Sequence, residues 1–552
     1  MSPLASLKGS PIRPKRSRRG CRTCKIRKVK CGEEKPNCIR CTSTGRKCEY
    51  EGKALGTFSS ASSATSMLDS PLSLSPNTVW RERRSFAYYF QHAAPFVGGS
   101  LDVDFWRVIV PQVCRSEPAV WDAIIAISAL FESPDPCPDL ALERGREIRT
   151  LNQNHRDALT WYSRSVSAVR QRIERGDVDI FVGLVSCILF ICIEALQGAL
   201  AEAAQLYDQG IRLICALRAQ TASGTVPAAK IAWLEDTIVP IFVYLGAIGY
   251  SIALVPVGSL LPCSDPAMAL EFPSLKLARD IIILLAAEIQ IFQRVCDDNF
   301  VQSHASQVSQ DLKLRQMVLS AKLKKWHLAF INLKESLRKR NALTPQDIGT
   351  GALLFSYHET LFIMLGTCMS PSQITTDAYL PNFQNIVDQC GIALDATAQS
   401  DSTQPPFTFG ISVGLPLWFT SLRCRDPRIR RAAVALLRRA PQVQGLYKCA
   451  AGVSLAETVM MLEEKDGIES SPNSLHPGTV ETTPAVFVPE EARLGPIGVI
   501  DLDNGIPPDM TDEEVHKWNQ RGCRNFLRIS RDQCDLASDT WQRVHEYILL
   551  DH

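Results

Sequence analysis

The sequence predicts a mostly all-α protein, built as a small N-terminal module with no apolar core of its own, a flexible linker and a large helical body. Three observations carry this. Apolar residues recur every three to four positions through most of residues 80–465, and alternating strand patterns are scarce. Six cysteines crowd into residues 21–48, a stretch with too few aliphatic side chains to fold around itself. Between these regions, from about Glu51 to Thr78, serine dominates, with Pro71 and Pro76, and nothing there offers a core.

The cysteines Cys21, Cys24, Cys31, Cys38, Cys41 and Cys48 follow the spacing C-x2-C-x6-C-x6-C-x2-C-x6-C, a doubled C-x2-C-x6-C unit. Each Cys-x-x-Cys presents two sulfurs from one tight turn, and soft thiolates suit tetrahedral zinc. Six sulfurs give four to each of two zinc ions only if two of them bridge. The internal repeat makes Cys21 and Cys38, the first members of the two halves, the natural bridging pair, with the other four as terminal ligands. The cofactor predicted is therefore two Zn2+. A Cys2His2 finger and a four-cysteine ribbon fit poorly, because neither paired histidines nor the ribbon spacing is found.

Charge is segregated. Residues 1–50 hold 15 Lys or Arg against three Glu, a net of +12, while the whole 552-residue chain stands at +2; the other 502 residues therefore carry −10. The basic end calls for a polyanion and the rest does not. Six thiolates and two zinc ions sum to −2, which the surrounding lysines and arginines more than offset. Arg22, Lys25, Arg27 and Lys30 are candidates for phosphate contacts that fix orientation on a duplex.

From about Arg18 to Tyr50 the chain resembles the fungal Zn2Cys6 binuclear-cluster DNA-binding domain. The likeness includes the cysteines, the basic run Lys25-Ile-Arg-Lys-Val-Lys30 and the pair Lys35-Pro36 before the fourth cysteine. It implies that the basic run is a short helix that delivers a lysine to base edges, and that the proline shapes the loop joining the halves. Lys28 stands where the family sends a lysine to the guanines of a CGG-type triplet, whose O6 and N7 are paired acceptors in the major groove; Arg27 beside it is a second candidate. The resemblance further implies a nuclear, sequence-specific regulator of RNA polymerase II transcription with duplex DNA as its partner, coactivators or other transcription machinery as further partners, and a homodimer as one assembly. The activity expected is activation of a metabolic or secondary-metabolite gene cluster. Arg13-Pro-Lys-Arg-Ser-Arg-Arg19 fits a nuclear import signal within a basic arm spanning 1–20.

The remaining boundaries are the cysteine module at 21–48, the linker at 49–79, the helical body at 80–465, and at 466–552 a partly disordered segment followed by a C-terminal helix. No sustained heptad lies between Tyr50 and Trp80, so monomer binding and dimerisation through the large domain both stay open. In the body, Ser116 is expected as an N-cap with Pro118 in the first turn, ahead of Val120, Trp121, Ile124, Ile125, Ile127 and Phe131. Leu159, Tyr162, Val166, Val169 and Ile173 form a further stripe that ends at Gly176. Apolar-periodic stretches follow at about 180–197, 202–217, 230–248, 277–296, 310–338, 350–369, 381–396, 428–438 and 512–549. Ser85–Phe90, the segments around Trp106 and Trp121, His155–Ile173 and Leu422-Arg-Cys-Arg-Asp-Pro-Arg-Ile-Arg-Arg431 resemble the fungal-specific transcription-factor domain, which is regulatory and non-catalytic.

Other classes fit less well. Thirteen further cysteines are scattered without paired spacing, as small buried hydrophobes in a reducing compartment would be. The first twenty residues lack an apolar signal core, and the longest apolar run, Ile180–Ile193, is shorter than the roughly 20 residues a bilayer span needs. No membrane partner is expected. Gly410-Ile-Ser-Val-Gly414 matches the G-x-S-x-G string of hydrolases, which requires a strand before Ser412, a helix after it and acid and histidine partners; the surroundings read as helical, so no enzyme is expected. A zinc-cluster adaptor that acts through protein partners is the alternative function. Asp501–Val515 mixes acidic and apolar residues, compatible with an activation patch or with a solvated loop.

Overall fold

The computed structural model describes residues 21–48, 80–134, 152–222, 227–249, 257–261, 271–303, 309–469, 488–501, 510–516, 525–535 and 540–549, apart from 36, 100, 177–178, 400, 496, 512 and 514. The arm at 1–20, the linker at 49–79, Pro36 and most of the acidic stretch 501–515 lie outside the described residues. The chain divides into two compact units, Met1–Ser70 and Pro71–His552.

The first unit contains α1 (Arg22–Ile26) and α2 (Ile39–Thr42). Its buried cluster consists of cysteines alone, while Ile26 and Ile39 are 71% and 65% exposed. So short a segment has no aliphatic interior, and sulfur takes that place.

The second unit is helical, as expected. Trp80–Tyr88 (α3) passes through a π-turn into Ala94–Val97 (α4), and a second π-turn, Phe105–Ile109, leads into Val110–Cys114 (α5). Pro118–Glu132 (α6) is buried nearly all round and packs against both Gln153–Arg175 (α7) and Ile180–Leu196 (α8); Leu200–Ala222 (α9) packs on α8. Ala228–Trp233 (α10) and Val239–Gly249 (α11) are followed by Leu275–Ser303 (α12), Gln310–Lys339 (α13), Pro345–Thr367 (α14) and Leu380–Thr397 (α15), in which α14 packs against α12, α13 and α15. Gly414–Arg423 (α16), Pro427–Arg439 (α17) and Cys449–Glu469 (α18) close the bundle. By length and composition α14 could cross a membrane, but 72% of its apolar window is buried against its neighbours. It is a core helix.

Two expectations shift at the ends and faces of helices. Pro118 does sit at the first turn of α6, but the N-cap is Glu117; the Ser116 hydroxyl instead donates to the Val113 carbonyl at 3.2 Å and closes the preceding helix. Gly176 ends α7 in the left-handed conformation, φ 70°, as its position suggested. The face that α7 buries, however, is His155, Ala158, Trp161 and Ser165, and Leu159, Val166 and Ile173 of the apolar stripe are exposed. Small residues decide this: Ala158 and Ser165 let the helices approach closely, and the Ser165 hydroxyl donates to the Ala119 carbonyl at 2.6 Å.

The C-terminal helix is overturned. Asn525–Asp535 and Thr540–Leu549 are antiparallel strands, and Ile497–Asp501 pairs with the first of them. In the last strand the inward positions are Trp541, Arg543, His545 and Tyr547, while Val544 points outward. Arg543 donates to Asp532 at 2.8 Å, and His545 shares a hydrogen bond with Ser530 at 2.8 Å, so polar pairs occupy the buried face. Hydropathy therefore does not alternate even though the strand does. A second, minimal sheet joins Phe407–Thr408 (β1), Val443–Gln444 (β2) and Tyr447–Lys448 (β3).

The motif at 422–431 is a structural clamp. Asp426 caps α17 by accepting from Arg428 and Ile429 N–H groups at 2.9 and 3.1 Å, with Pro427 at the first position. Arg425 and Arg430 both donate to the fully buried Glu463 of α18, at 2.8 and 2.6 Å, and the Leu494 N–H adds a third bond at 2.8 Å. Burial raises the carboxyl's pKa, but the two guanidiniums outweigh it and hold Glu463 below the usual range.

Candidate metal centre and nucleic-acid interface

The six cysteines meet in one cluster. Their sulfurs form two quartets, Cys21, Cys24, Cys31, Cys38 and Cys21, Cys38, Cys41, Cys48, each with all ligand atoms within 4.8 Å of one another. The quartets share Cys21 and Cys38. A tetrahedral zinc with Zn–S of about 2.3 Å requires sulfurs about 3.8 Å apart. The observed Sγ–Sγ distances are 3.7 Å for Cys21–Cys38, Cys21–Cys41 and Cys24–Cys38, so the donor set fits the ion. Cys24 and Cys41 also lie 3.8 Å apart, although they fall in different quartets. Two ideal edge-sharing tetrahedra would hold those sulfurs about 5 Å apart.

The two halves, 17 residues out of phase, repeat several of each other's bonds. Cys21 N–H donates to the Cys31 sulfur at 3.3 Å, and Cys38 N–H to the Cys48 sulfur at 3.2 Å. Cys21 and Cys38 occupy the N-caps of α1 and α2. The thiols of these two residues are lowered from the ordinary cysteine value. Burial pushes the Cys38 thiol up, but the Cys41 N–H and the neighbouring thiols outweigh it and bring it down to about 6. Burial likewise opposes the lowered Cys21 thiol, and hydrogen bonds from the Cys24 N–H and adjacent thiols prevail. Cys24 and Cys41 are pushed up, by burial first. For Cys48 the Cys38 N–H pulls down, but burial and three thiols raise it to about 12.

Each short helix ends in a Schellman turn. In the first half Val29 N–H reaches Cys24 O at 3.2 Å and Lys28 N–H reaches Lys25 O at 3.2 Å; in the second, Arg46 N–H reaches Cys41 O at 2.9 Å and Gly45 N–H reaches Thr42 O at 3.1 Å. The turn needs a left-handed residue, and the second half supplies Gly45 at φ 60°. The first half has Lys28 there, at φ 57°. A side chain at this φ costs roughly 1–2 kcal/mol.

Of the basic candidates, Lys25, Lys28 and Lys30 are exposed. Arg27 is half-buried, and its Nη1 donates to Thr44 Oγ1 at 3.3 Å, stapling one half to the other. The side chain of Arg22 lies outside the described residues. Thr23 had not been singled out from sequence; its hydroxyl donates to the Lys47 carbonyl at 2.8 Å as a second staple. Nothing in the repeat marks it, because Arg40 is its counterpart. The Lys28–Gly45 correspondence, by contrast, can be found by laying the two halves over each other.

The profile of the fungal Zn(2)-Cys(6) binuclear cluster domain matches residues 19–56. The chain carries a fungal Zn(2)-Cys(6) domain. Such a domain binds two zinc ions, in keeping with the paired quartets, and belongs to DNA-binding proteins. The chain is 28% identical over 249 residues to the aspercryptin biosynthesis cluster-specific transcription regulator of Emericella nidulans, covering 38% of this chain and 37% of that protein. It is 28% identical to a Zn(2)-C6 fungal-type transcription factor of Aspergillus fumigatus, over 23% of this chain and 35% of the other. A transcription regulator of Purpureocillium lilacinum is 24% identical over 40% of this chain and 55% of its own length. The chain thus spans about a third to a half of the length of these relatives, and the 249-residue match runs well beyond the zinc-cluster domain. No solved structure matches.

Proposed function

We propose that the chain is a nuclear, sequence-specific DNA-binding regulator of RNA polymerase II transcription, and that its zinc-cluster domain reads a CGG-type triplet through Lys28. The observation that carries this is the backbone of Lys28. It keeps an exposed lysine in a left-handed turn where the matching turn uses glycine, so a side chain is retained at a conformational cost. Cys21, Cys24, Cys31 and Cys38 hold one zinc ion, and Cys21, Cys38, Cys41 and Cys48 the other. The metal, when bound, crosslinks the two halves. The chain's own residues then do the rest: α1 and its turn present Lys28 to base edges, Arg27 fixes one half against the other, and Lys25, Lys30 and Arg22 meet phosphates. The basic arm at 1–20 adds phosphate contacts and the import signal, and the linker at 49–79 joins this reader to a regulatory body at 80–465.

The name of the Emericella nidulans relative supports control of a biosynthetic gene cluster, and activation is the direction we favour. Coactivators, other transcription machinery and a second copy of the chain are the partners this role calls for. A non-enzymatic body is supported by the surroundings of Ser412. A two-residue strand does precede it and α16 follows, but no described residue lining the adjoining cavity is His, Asp or Glu.

Gel-shift titration with triplet-bearing and scrambled duplexes tests the reading. The natural chain should discriminate between them, and the Lys28→Ala chain should bind both alike through its phosphate contacts. Unchanged preference in Lys28→Ala would refute the assignment, and equal affinity of the natural chain for every duplex would favour the adaptor instead.

A further inference from the structure

The helical body carries a half-open cavity of about 460 Å³, within the range of small-molecule sites. It lies between the first turns of α14, the end of α15, the segment after α4 and the loop at 405–413. Small residues border it, among them Gly98, Gly99, Gly349, Gly410, Ala393 and Ala396; at Gly98 and Gly349 close packing against Trp106 and Ala396 leaves no room for a side chain. Around it, Phe96, Leu101, Leu353 and Ile411 are half-buried: they pack against the core and also line the cavity.

The polar groups in the wall define the ligand's chemistry. Arg279 is the one charged side chain among the described lining residues, and it is only 2% exposed. Its guanidinium is already engaged on both sides: two bonds reach Asp102, the Nη2 contact at 3.0 Å, and two reach Asp280, at 2.9 and 2.8 Å. An anion therefore meets no uncompensated cation here. Two hydroxyls are available: neither Thr408 Oγ1 nor Ser412 Oγ has a hydrogen-bond partner among the described residues, and both residues line the cavity. The serine of the G-x-S-x-G string thus stands at the cavity as a hydrogen-bonding group.

We infer that this cavity is a binding site for one neutral, mainly apolar small molecule bearing a hydroxyl or carbonyl group, oriented by Thr408 and Ser412. Apolar walls gain by excluding water, and the two hydroxyls fix direction. The inference concerns the helical body alone and does not rest on the DNA-binding reading, so the failure of either leaves the other standing.

Fluorescence titration of the full chain with N-phenyl-1-naphthylamine, a neutral apolar probe, tests it against the 8-sulfonate of the same molecule. The neutral probe should saturate one site per chain and bind at least ten-fold more tightly than the sulfonate. Ser412→Trp, which fills the space, should weaken the neutral probe at least ten-fold with helical circular dichroism unchanged. In the natural chain, hydrogen exchange should slow on probe binding at 345–353 and 405–413, a measurement that decides the matter if the variant fails to fold. Absence of saturable binding, equal affinity for the sulfonate, undiminished binding by folded Ser412→Trp, or protection confined to other segments would each overturn the site.

Discussion

The zinc-cluster domain and the helical body solve the same problem, ordering a chain against its entropy, by opposite means. In the body, aliphatic and aromatic side chains of α6, α8, α12 and α14 form a continuous interior, and buried charges such as Glu463 are matched by Arg425 and Arg430. In the domain at 21–48 the interior is sulfur, and Ile26, Val29 and Ile39 face solvent. A segment this short cannot bury enough apolar area to fold unaided. The difference teaches where each part is vulnerable: the body to loss of packing or charge matching, the domain to loss of metal.

The comparison is tested most severely at the shared sulfurs. Cys38→Ser should remove a ligand from both quartets and release both metal ions, whereas Cys48→Ser should leave one; native mass spectrometry counts them. Because structural zinc contributes about 10–16 kcal/mol in finger peptides, the Cys38→Ser domain should be unfolded. Equal metal loss in the two variants would break the bridging assignment.

Next in size is the body's buried triad. Glu463→Leu leaves two guanidiniums uncompensated and should cost about 3–5 kcal/mol, read as a lower urea midpoint with two zinc ions retained. The same group sets a pH dependence. Its folded pKa is depressed, so its contribution is complete above the ordinary glutamate pKa and is lost as pH falls through the lower folded value. Stability of the natural body should therefore drop on acidification below the usual carboxylate range, with a smaller drop in Glu463→Gln; parallel curves would remove Glu463 from that account.

The smallest effect sharpens the comparison within the domain itself. Lys28→Gly relieves the left-handed side chain and should stabilise the zinc-loaded domain by about 1 kcal/mol, measured by zinc-competition titration, while triplet discrimination in the gel shift disappears. Stability and recognition are expected to move in opposite directions. A destabilised Lys28→Gly domain would show that the lysine is there for the fold.

Much of this was legible in the residues. The doubled cysteine spacing yields both quartets and their shared pair, and three-to-four periodicity yields most body helices. What escaped has a physical reason in each case. The outward turn of Val166 and Ile173 is set by the small residues Ala158 and Ser165, which hydropathy counts as indifferent. The strands at 525–549 hide because their inward face carries Arg543 and His545, stabilised by partners that only the fold brings near. Nothing in the sequence of 422–431 names a partner for Arg425 and Arg430, because Glu463 comes from α18, more than thirty residues on. The strain at Lys28 is a backbone property that no composition records, though its twin glycine was in plain view.

The most direct test of the central claim, that metal orders one region and an apolar core the other, is a chelator titration of the full chain followed by native mass spectrometry and far-UV circular dichroism together. Two zinc ions should depart while the helical signal of the body persists, with DNA binding lost alongside the metal. A chain that holds no zinc, or one whose helices melt in step with metal release, would contradict the account.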